Sequence, residues 1–360
     1  MVHTKKVQLK DAYALFSVAE LRMLCKSFGI HGVSKKRKAD IITVLVQHMT
    51  QRQIFESICF LATPYEIFAL KQSDKCAYDD TDPYDVFYYW IKFGYCIIDD
   101  ENQVIIVSEV KEMIHNLSNG FWEQHDRFHE ILTYIEASIH LYGVMEIKFF
   151  IELFNRFHSN QLCMKEFMSV FQMLDGRPEL FNYDIDHNIM FDEVLLDTES
   201  GRFAFEEIYE KQQRFPYYIP TKEELLCYVD EEYSERTKEY KSLYEYFEDV
   251  YRMEPYFIED TCNETVDMIR FGYQIEEILQ LYEVRGIELD PFHIDDIVNL
   301  LLQLMNHTRS MYFRGHTPAE VNLRIELADP KRMRKNTYHR KHDAGNDIHE
   351  VIQFPGKRTQ

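Results

Sequence analysis

Glycine and proline are scarce, twelve and ten in 360 residues. A large parallel-sheet enzyme needs more glycine than this at its strand-to-helix turns, so that class is disfavoured at the outset. The seven cysteines (25, 59, 76, 96, 163, 227 and 262) are scattered and odd in number and form no C-x-x-C pair. Neither a zinc ribbon nor a disulfide framework is implied, and a reducing cytosol suits such usage. No apolar run approaches the roughly 20 residues of a membrane span. Met1-Val2-His3-Thr4-Lys5-Lys6 leads into no signal-peptide apolar region. The expectation is a soluble, cytoplasmic protein without a membrane partner. Nucleotide-binding glycine loops and the nucleophile elbow of serine hydrolases are also missing. Sixty-one carboxylates offer no spacing that marks a catalytic pair. The reading is therefore non-enzymatic, with no cofactor and no metal.

What is present points to helices. Apolar residues make up 46% and aromatics 14% of the chain, too much for general disorder. Leu, Ile, Glu, Tyr and Phe dominate, which favours a mainly α protein with short connections. The net charge of −21 is unevenly placed. Residues 1–52 carry a net +7, residues 53–330 a net −33, and residues 331–360 a net +5. An acidic body repels nucleic acid, so any contact with a polyanion falls to the basic ends.

The most informative stretch is residues 15–49. Ser17 and Glu20 form a capping box, after which Val18, Leu21, Cys25 and Phe28 repeat at helical spacing up to Gly29, a C′ glycine. After a turn near Gly32, Ser34 is placed to cap a second helix carrying Ala39, Ile41, Ile42, Val44, Leu45 and Met49. The result is a helix-turn-helix hairpin. Lys35, Lys36, Arg37 and Lys38 crowd the start of the second helix, where each cation opposes the macrodipole by about 0.3–1 kcal/mol. A phosphate relieves that opposition. A solvated charge run and a nuclear-localisation-like run are the competing readings.

Residues 15–49 resemble the N-terminal domain of Rho termination factor and the related SAP module. The resemblance rests on Val18-Ala19-Glu20-Leu21, on Gly29 or Gly32, on the lysines before the second helix and on Asp40-Ile41-Ile42. It implies binding of nucleic acid, DNA or RNA, at Lys35, Lys36, Arg37 and Lys38; Lys26, on the preceding helix, is a further candidate contact. In neither family is the module catalytic.

Further along, Thr63-Pro64-Tyr65-Glu66 is a helix start. A helix over 83–93 ends at Gly94, and two β-rich runs flank Asp99-Asp100-Glu101-Asn102-Gln103 as a hairpin, with a closing helix over 108–116. That order looks like a winged helix, although three acids in the hairpin loop and one lysine on the helix suit packing or protein binding better than reading DNA. Residues 119–327 read as an acidic, all-helical domain. Within it, Thr221-Glu224 and Thr317-Glu320 are further capping boxes, and residues 181–192 fit either a short strand or a loop. The domains expected are 1–52, 53–118, 119–327 and a flexible basic tail over 328–360.

Tyr217-Tyr218-Ile219-Pro220-Thr221-Lys222-Glu223-Glu224-Leu225-Leu226, together with Asn306-His307-Thr308-Arg309 and Arg314-Gly315-His316-Thr317-Pro318, resembles a group of uncharacterised Firmicute proteins that often end in a cysteine-rich SEC-C metal-binding motif. Residues 330–360 contain no cysteine, so no zinc is carried over. The polar loop with Asn306, Thr308, Arg309, Arg314 and His316 is a candidate partner-binding loop. It is equally a set of caps for the flanking helices. His125 and His129 have the i, i+4 spacing of two metal ligands, with no third ligand indicated. In the tail, Arg332, Arg334 and Lys335 sit among Tyr338, His339 and His342, the composition of an arm that binds phosphates or folds onto the acidic body. The leading expectation is a nucleic-acid-associated adaptor with a protein partner for its acidic body. The alternative is a protein-protein or self-assembly module that binds no nucleic acid.

Overall fold

The computed structural model describes residues 6–72, 76–79, 85–174, 182–184, 187–196, 204–230 and 232–328. Among them the chain is mainly α, as its composition predicts. In order it forms α1 (Leu9–Leu15), α2 (Val18–Ser27), α3 (Lys38–Met49), α4 (Arg52–Leu61), α5 (Pro64–Gln72), β1 (Cys76–Ala77), α6 (Tyr88–Ile91), β2 (Cys96–Ile98), β3 (Gln103–Ile106), α7 (Ser108–His115) and α8 (Asn119–Tyr142). There follow β4 (Val144–Glu146), α9 (Ile147–Phe157), α10 (Met164–Leu174), β5 (Asn182–Asp184), β6 (Ile189–Phe191), α11 (Ala204–Gln212), α12 (Lys222–Cys227), α13 (Lys238–Tyr246), α14 (Pro255–Arg270), α15 (Ile275–Val284), α16 (Ile294–His307) and α17 (Pro318–Ala328).

The chain divides into two compact units, residues 1–131 with 170–177 and residues 132–169 with 178–360. In the first, the segments expected as separate modules 1–52 and 53–118 share one core that runs from Leu9 through Leu45, Phe55 and Trp90 to Leu117. Long-range polar bonds fasten it. The Tyr13 hydroxyl donates to the Phe93 carbonyl at 3.0 Å, Tyr89 to Ile58 at 2.8 Å and Tyr95 to Met49 at 3.0 Å. Glu109, at the start of α7, accepts the Leu9 N–H at the start of α1. The expected hairpin is present: β2 pairs β3 with Cys96 opposite Ile106 and Ile98 opposite Val104, and β1 adds to the other edge of β3. The helix expected over 83–93 is shorter. Residues 83 and 84 lie outside the described residues, and α6 covers Tyr88–Ile91, stopping before Gly94 at φ +73°.

The second unit is built mostly of helices, with one correction to the all-helical expectation. Residues 182–184 and 189–191, undecided from the sequence, are strands in an antiparallel sheet ordered β4-β6-β5, with Met145 opposite Met190 and Tyr183 opposite Met190. Strands this short carry too little alternation to stand out in a sequence. Helices α13 to α16 enclose a separate core around Phe247, Ile258, Tyr282 and Leu301. There the buried Tyr282 hydroxyl pairs with Thr265 Oγ1 at 2.9 Å. Helix α13 begins at Lys238 with Thr237 as its cap and runs into a π-helical turn over Phe247–Tyr251. Among the described residues no helix is long and apolar enough to cross a membrane.

Candidate nucleic-acid interface

The capping box of α2 is formed as read: the Ser17 N–H donates to Glu20 at 2.5 Å, and the Glu20 N–H donates to Ser17 Oγ at 3.2 Å. Gly29 adopts φ +66°, and the Ile30 N–H returns to the Cys25 carbonyl at 2.7 Å, which closes the helix in a Schellman arrangement. The start of α3 differs from expectation. Ser34 does not cap it but lies in a turn closed by Lys36 N–H to Val33 C=O at 3.1 Å. The N-cap position belongs to Arg37, whose side chain makes no capping bond. A guanidinium has donors only, so it has nothing to offer the free N–H groups of the helix start.

The four clustered cations divide into two kinds. Lys38 reaches back to the Ala14 carbonyl at 2.7 Å, satisfying an orphan acceptor at the C-terminal end of α1, where a cation is favoured. Lys35, Lys36 and Arg37 are exposed, and no side chain among the described residues forms an ion pair or hydrogen bond with them. Arg22 on α2 donates to the Ser34 carbonyl at 2.8 Å, so the outer face of α2 is joined directly to the basic turn. Lys26, one turn beyond Arg22, is exposed on α2. Lys26 and Arg22 lie four residues apart on α2, and the Arg22 bond to Ser34 ties that helix to the turn that carries Lys35, Lys36 and Arg37. Sequence reading missed Arg22, whose partner is a backbone carbonyl twelve positions away. Arg332, Arg334 and Lys335 of the tail lie outside the described residues.

The second candidate, the polar loop between α16 and α17, proves to be internal. Asn306, Thr308, Arg314 and His316 are buried, and Arg309 is half-buried. Arg309 donates from Nε to Glu235 at 2.8 Å and from Nη1 to the Gly315 carbonyl at 3.1 Å, with its guanidinium 3.6 Å above the Tyr218 ring. Arg314, left-handed at φ +52°, pairs with Glu146 at 2.8 Å and lies 4.1 Å above Tyr217, whose other face stacks on Phe149 at 3.8 Å. Burial pushes the Tyr217 phenol up to about 12. His316 Nδ1 meets Glu320 at 3.0 Å, and Thr308 Oγ1 returns to the Leu304 carbonyl at 2.8 Å. The loop therefore locks Tyr217 and Tyr218 against α16 and α17, and its side chains are not available as a partner surface. Beside it, Tyr228, Ser234, Glu235, Arg270 and Arg309 line a cavity of about 10 Å³, room for one water-sized molecule.

His125 and His129 have a different task from metal binding. His125 Nε2 meets the Ala62 carbonyl at 2.9 Å and His129 Nε2 the Phe60 carbonyl at 3.2 Å, so the pair closes the C-terminal end of α4, where free carbonyls need donors. Among the described residues no group of three His, Cys, Asp or Glu side chains is gathered to hold a metal ion. Comparison of the chain with family models, with curated proteins and with solved structures finds no match.

Proposed function

We propose that this chain is a non-enzymatic adaptor that binds nucleic acid by its phosphate backbone, with Lys26, Lys35, Lys36 and Arg37 as the contacting side chains. The observation that carries this reading is that these four cations are exposed on two segments tied together by the Arg22–Ser34 bond and have no carboxylate partner among the described residues, in a chain whose middle is strongly acidic. Cations without an internal role are retained most economically where an external anion meets them. The likeness of residues 15–49 to the Rho N-terminal and SAP modules supports the same conclusion. Residues 53–118, winged-helix-like in order, serve as the scaffold. Their hairpin turn carries Asp99, Asp100 and Glu101 and is kept away from phosphate. Arg332, Arg334 and Lys335 add positive charge from the other end of the chain.

The test is fluorescence anisotropy of the full-length protein with a labelled duplex of about 20 bp at about 50 mM salt, where backbone contacts are strongest. Replacing Lys26, Lys35, Lys36 and Arg37 together with alanine weakens binding by roughly tenfold or more and leaves the melting temperature unchanged. No detectable binding by the wild-type protein ends the proposal.

A second reading, in which the C-terminal unit docks a protein partner, has its own observation. Tyr256, Val284 and Phe292 are 83%, 86% and 89% exposed. Arg285 binds Asp260 and Glu264, which places the end of α15 carrying Val284 beside the first turns of α14 that carry Tyr256. Large apolar side chains left in water favour association. Sedimentation of the wild type and of a Tyr256→Ser, Val284→Ser, Phe292→Ser variant tests it for self-association: a difference in mass at high concentration supports docking between copies, and identical monomers refute it.

A further inference from the structure

Resting on the nucleic-acid reading above, we infer that the basic face takes a duplex by its backbone alone, without regard to sequence and in preference to a single strand. Two features of the face carry this. The first is the chemistry of its side chains. Lys26, Lys35 and Lys36 are point charges on flexible stems, which neutralise phosphates and do not select bases. Arg22 could read a guanine edge, but its guanidinium is committed to the Ser34 carbonyl. That leaves Arg37 as the single forked donor on the face, and one such contact without neighbouring readers of base edges cannot specify a site.

The second feature is where the rings go. Proteins that prefer single strands supply aromatic platforms on which unpaired bases stack. Around this hairpin the rings are turned inward. Phe28 packs edge-on against His48 and Phe93, with ring centres 6.1 and 5.9 Å apart, and Phe16 packs against Tyr13 at 5.8 Å. The exposed ring in the turn is that of His31, which stands without a second ring to form a platform. Among the described residues of the hairpin a single strand thus meets cations but no stacking surface, and it presents fewer phosphates per unit length than a duplex. Charge density then decides, and it favours the duplex.

The experiment uses the full-length protein with three labelled probes of equal length: an AT-rich DNA duplex, a GC-rich DNA duplex and an oligothymidine single strand. The two duplexes bind within about threefold of each other and both more tightly than the single strand. The four hairpin cations contribute about −3.6 to the log–log salt slope, so their share of the duplex affinity falls about 150-fold between about 50 and 200 mM salt, and Lys26→Ala reduces the slope by about 0.9. Arg37→Lys and His31→Ala bind as the wild type does. Tighter binding to oligothymidine, a tenfold preference between the duplexes, or a marked loss on Arg37→Lys overturns this inference while leaving nucleic-acid binding intact. Absence of binding to all three probes instead removes the reading on which it rests.

Discussion

Replacing Arg309 with alanine tests whether the polar loop between α16 and α17 is architecture. The side chain is 13% exposed, and its partners Glu235 and Glu320 are 29% and 40% exposed. Breaking a deeply buried ion pair by removing one partner costs about 3–5 kcal/mol. Here both carboxylates keep part of their hydration, so the stranded charges account for about 2 kcal/mol. The hydrogen bond to the Gly315 carbonyl contributes about 1 kcal/mol, and the stacking of the cation on Tyr218 about another 1 kcal/mol. Because the three share one side chain they do not add fully, and the expected loss is about 3 kcal/mol. In a unit of this size that lowers the melting temperature by roughly 6–12 °C. Calorimetry of the full-length protein reads the shift. Arg309→Lys keeps the charge but not the planar fork, and falls between alanine and wild type. A double-mutant cycle with Glu235→Gln shows coupling of about 1 kcal/mol or more. If Arg309→Ala melts within about 2 °C of the wild type, the loop is not holding α16 and α17 to the Tyr217–Tyr218 segment, and the case for it as a purely internal device collapses.

Other outcomes follow from separate parts of the molecule. Gly94→Ala places a Cβ 2.6 Å from the Tyr13 ring at φ +73°, so it destabilises the first unit by about 2 kcal/mol or more, visible as a lower denaturant midpoint. Burial of the Glu320 carboxyl on its own would raise its pKa, but the hydrogen bond from His316 and the charge of Arg309 outweigh that and hold it below its ordinary value of 4.5. A depressed folded-state pKa gives stability that is present above about pH 4.5 and lost as pH falls through the folded value. Glu320→Gln should therefore flatten the acid limb of a stability-against-pH profile, and an unchanged limb would contradict the assignment. Thiol titration of the native protein should find Cys76, Cys163 and Cys227 reacting first, because they are exposed, with Cys25, Cys59, Cys96 and Cys262 slow. Burial pushes the Cys262 thiol up to about 12, which removes its reactive thiolate. Rapid modification of all seven would refute the packing of both cores.

Features fixed by neighbours within one turn were legible in the sequence. All four capping boxes are formed, at Ser17, Thr63, Thr221 and Thr317, because each needs only its own residue and the one three places on. Gly29 ends α2 as read. The exception, Ser34, shows the limit of the rule. A serine followed by four cations has no Glu or Gln at the third position to return the bond, and the chain delays the helix until Lys38 can reach Ala14. What depends on distant partners was not legible. The polar density of residues 306–317 looked like a binding loop because the residues that consume it, Glu146, Tyr217, Tyr218 and Glu235, lie roughly 70 to 170 positions away. The shared core of residues 1–118 was missed for the same reason. Tyr13, Tyr89 and Tyr95 look like ordinary aromatics until their hydroxyls meet carbonyls 31 to 80 positions distant.

The two polar regions also show how the chain separates its cations by type. Arg309, Arg314, Arg270 and Arg285 are drawn into the second unit, each held by a carboxylate, and each lies within 6 Å of an aromatic ring. A planar, weakly hydrated guanidinium tolerates that environment, and its fork binds carboxylate and carbonyl together. Three of the four cations on the proposed interface are lysines, whose strongly hydrated ammonium groups are better suited to water and to a mobile anion than to a packed core. Lys38 is the hinge between these uses, since it stands beside the exposed cluster while its ammonium is committed to Ala14. Lys38→Ala should thus lower stability by about 1.5 kcal/mol, the low end for a charged hydrogen bond because the ammonium is partly exposed, whereas Lys35→Ala should leave stability alone and weaken only the contact with phosphate. If both substitutions changed stability equally, or neither changed binding, the division between a structural lysine and a ligand-facing one would fail, and with it the reason for assigning the exposed turn to an external anion.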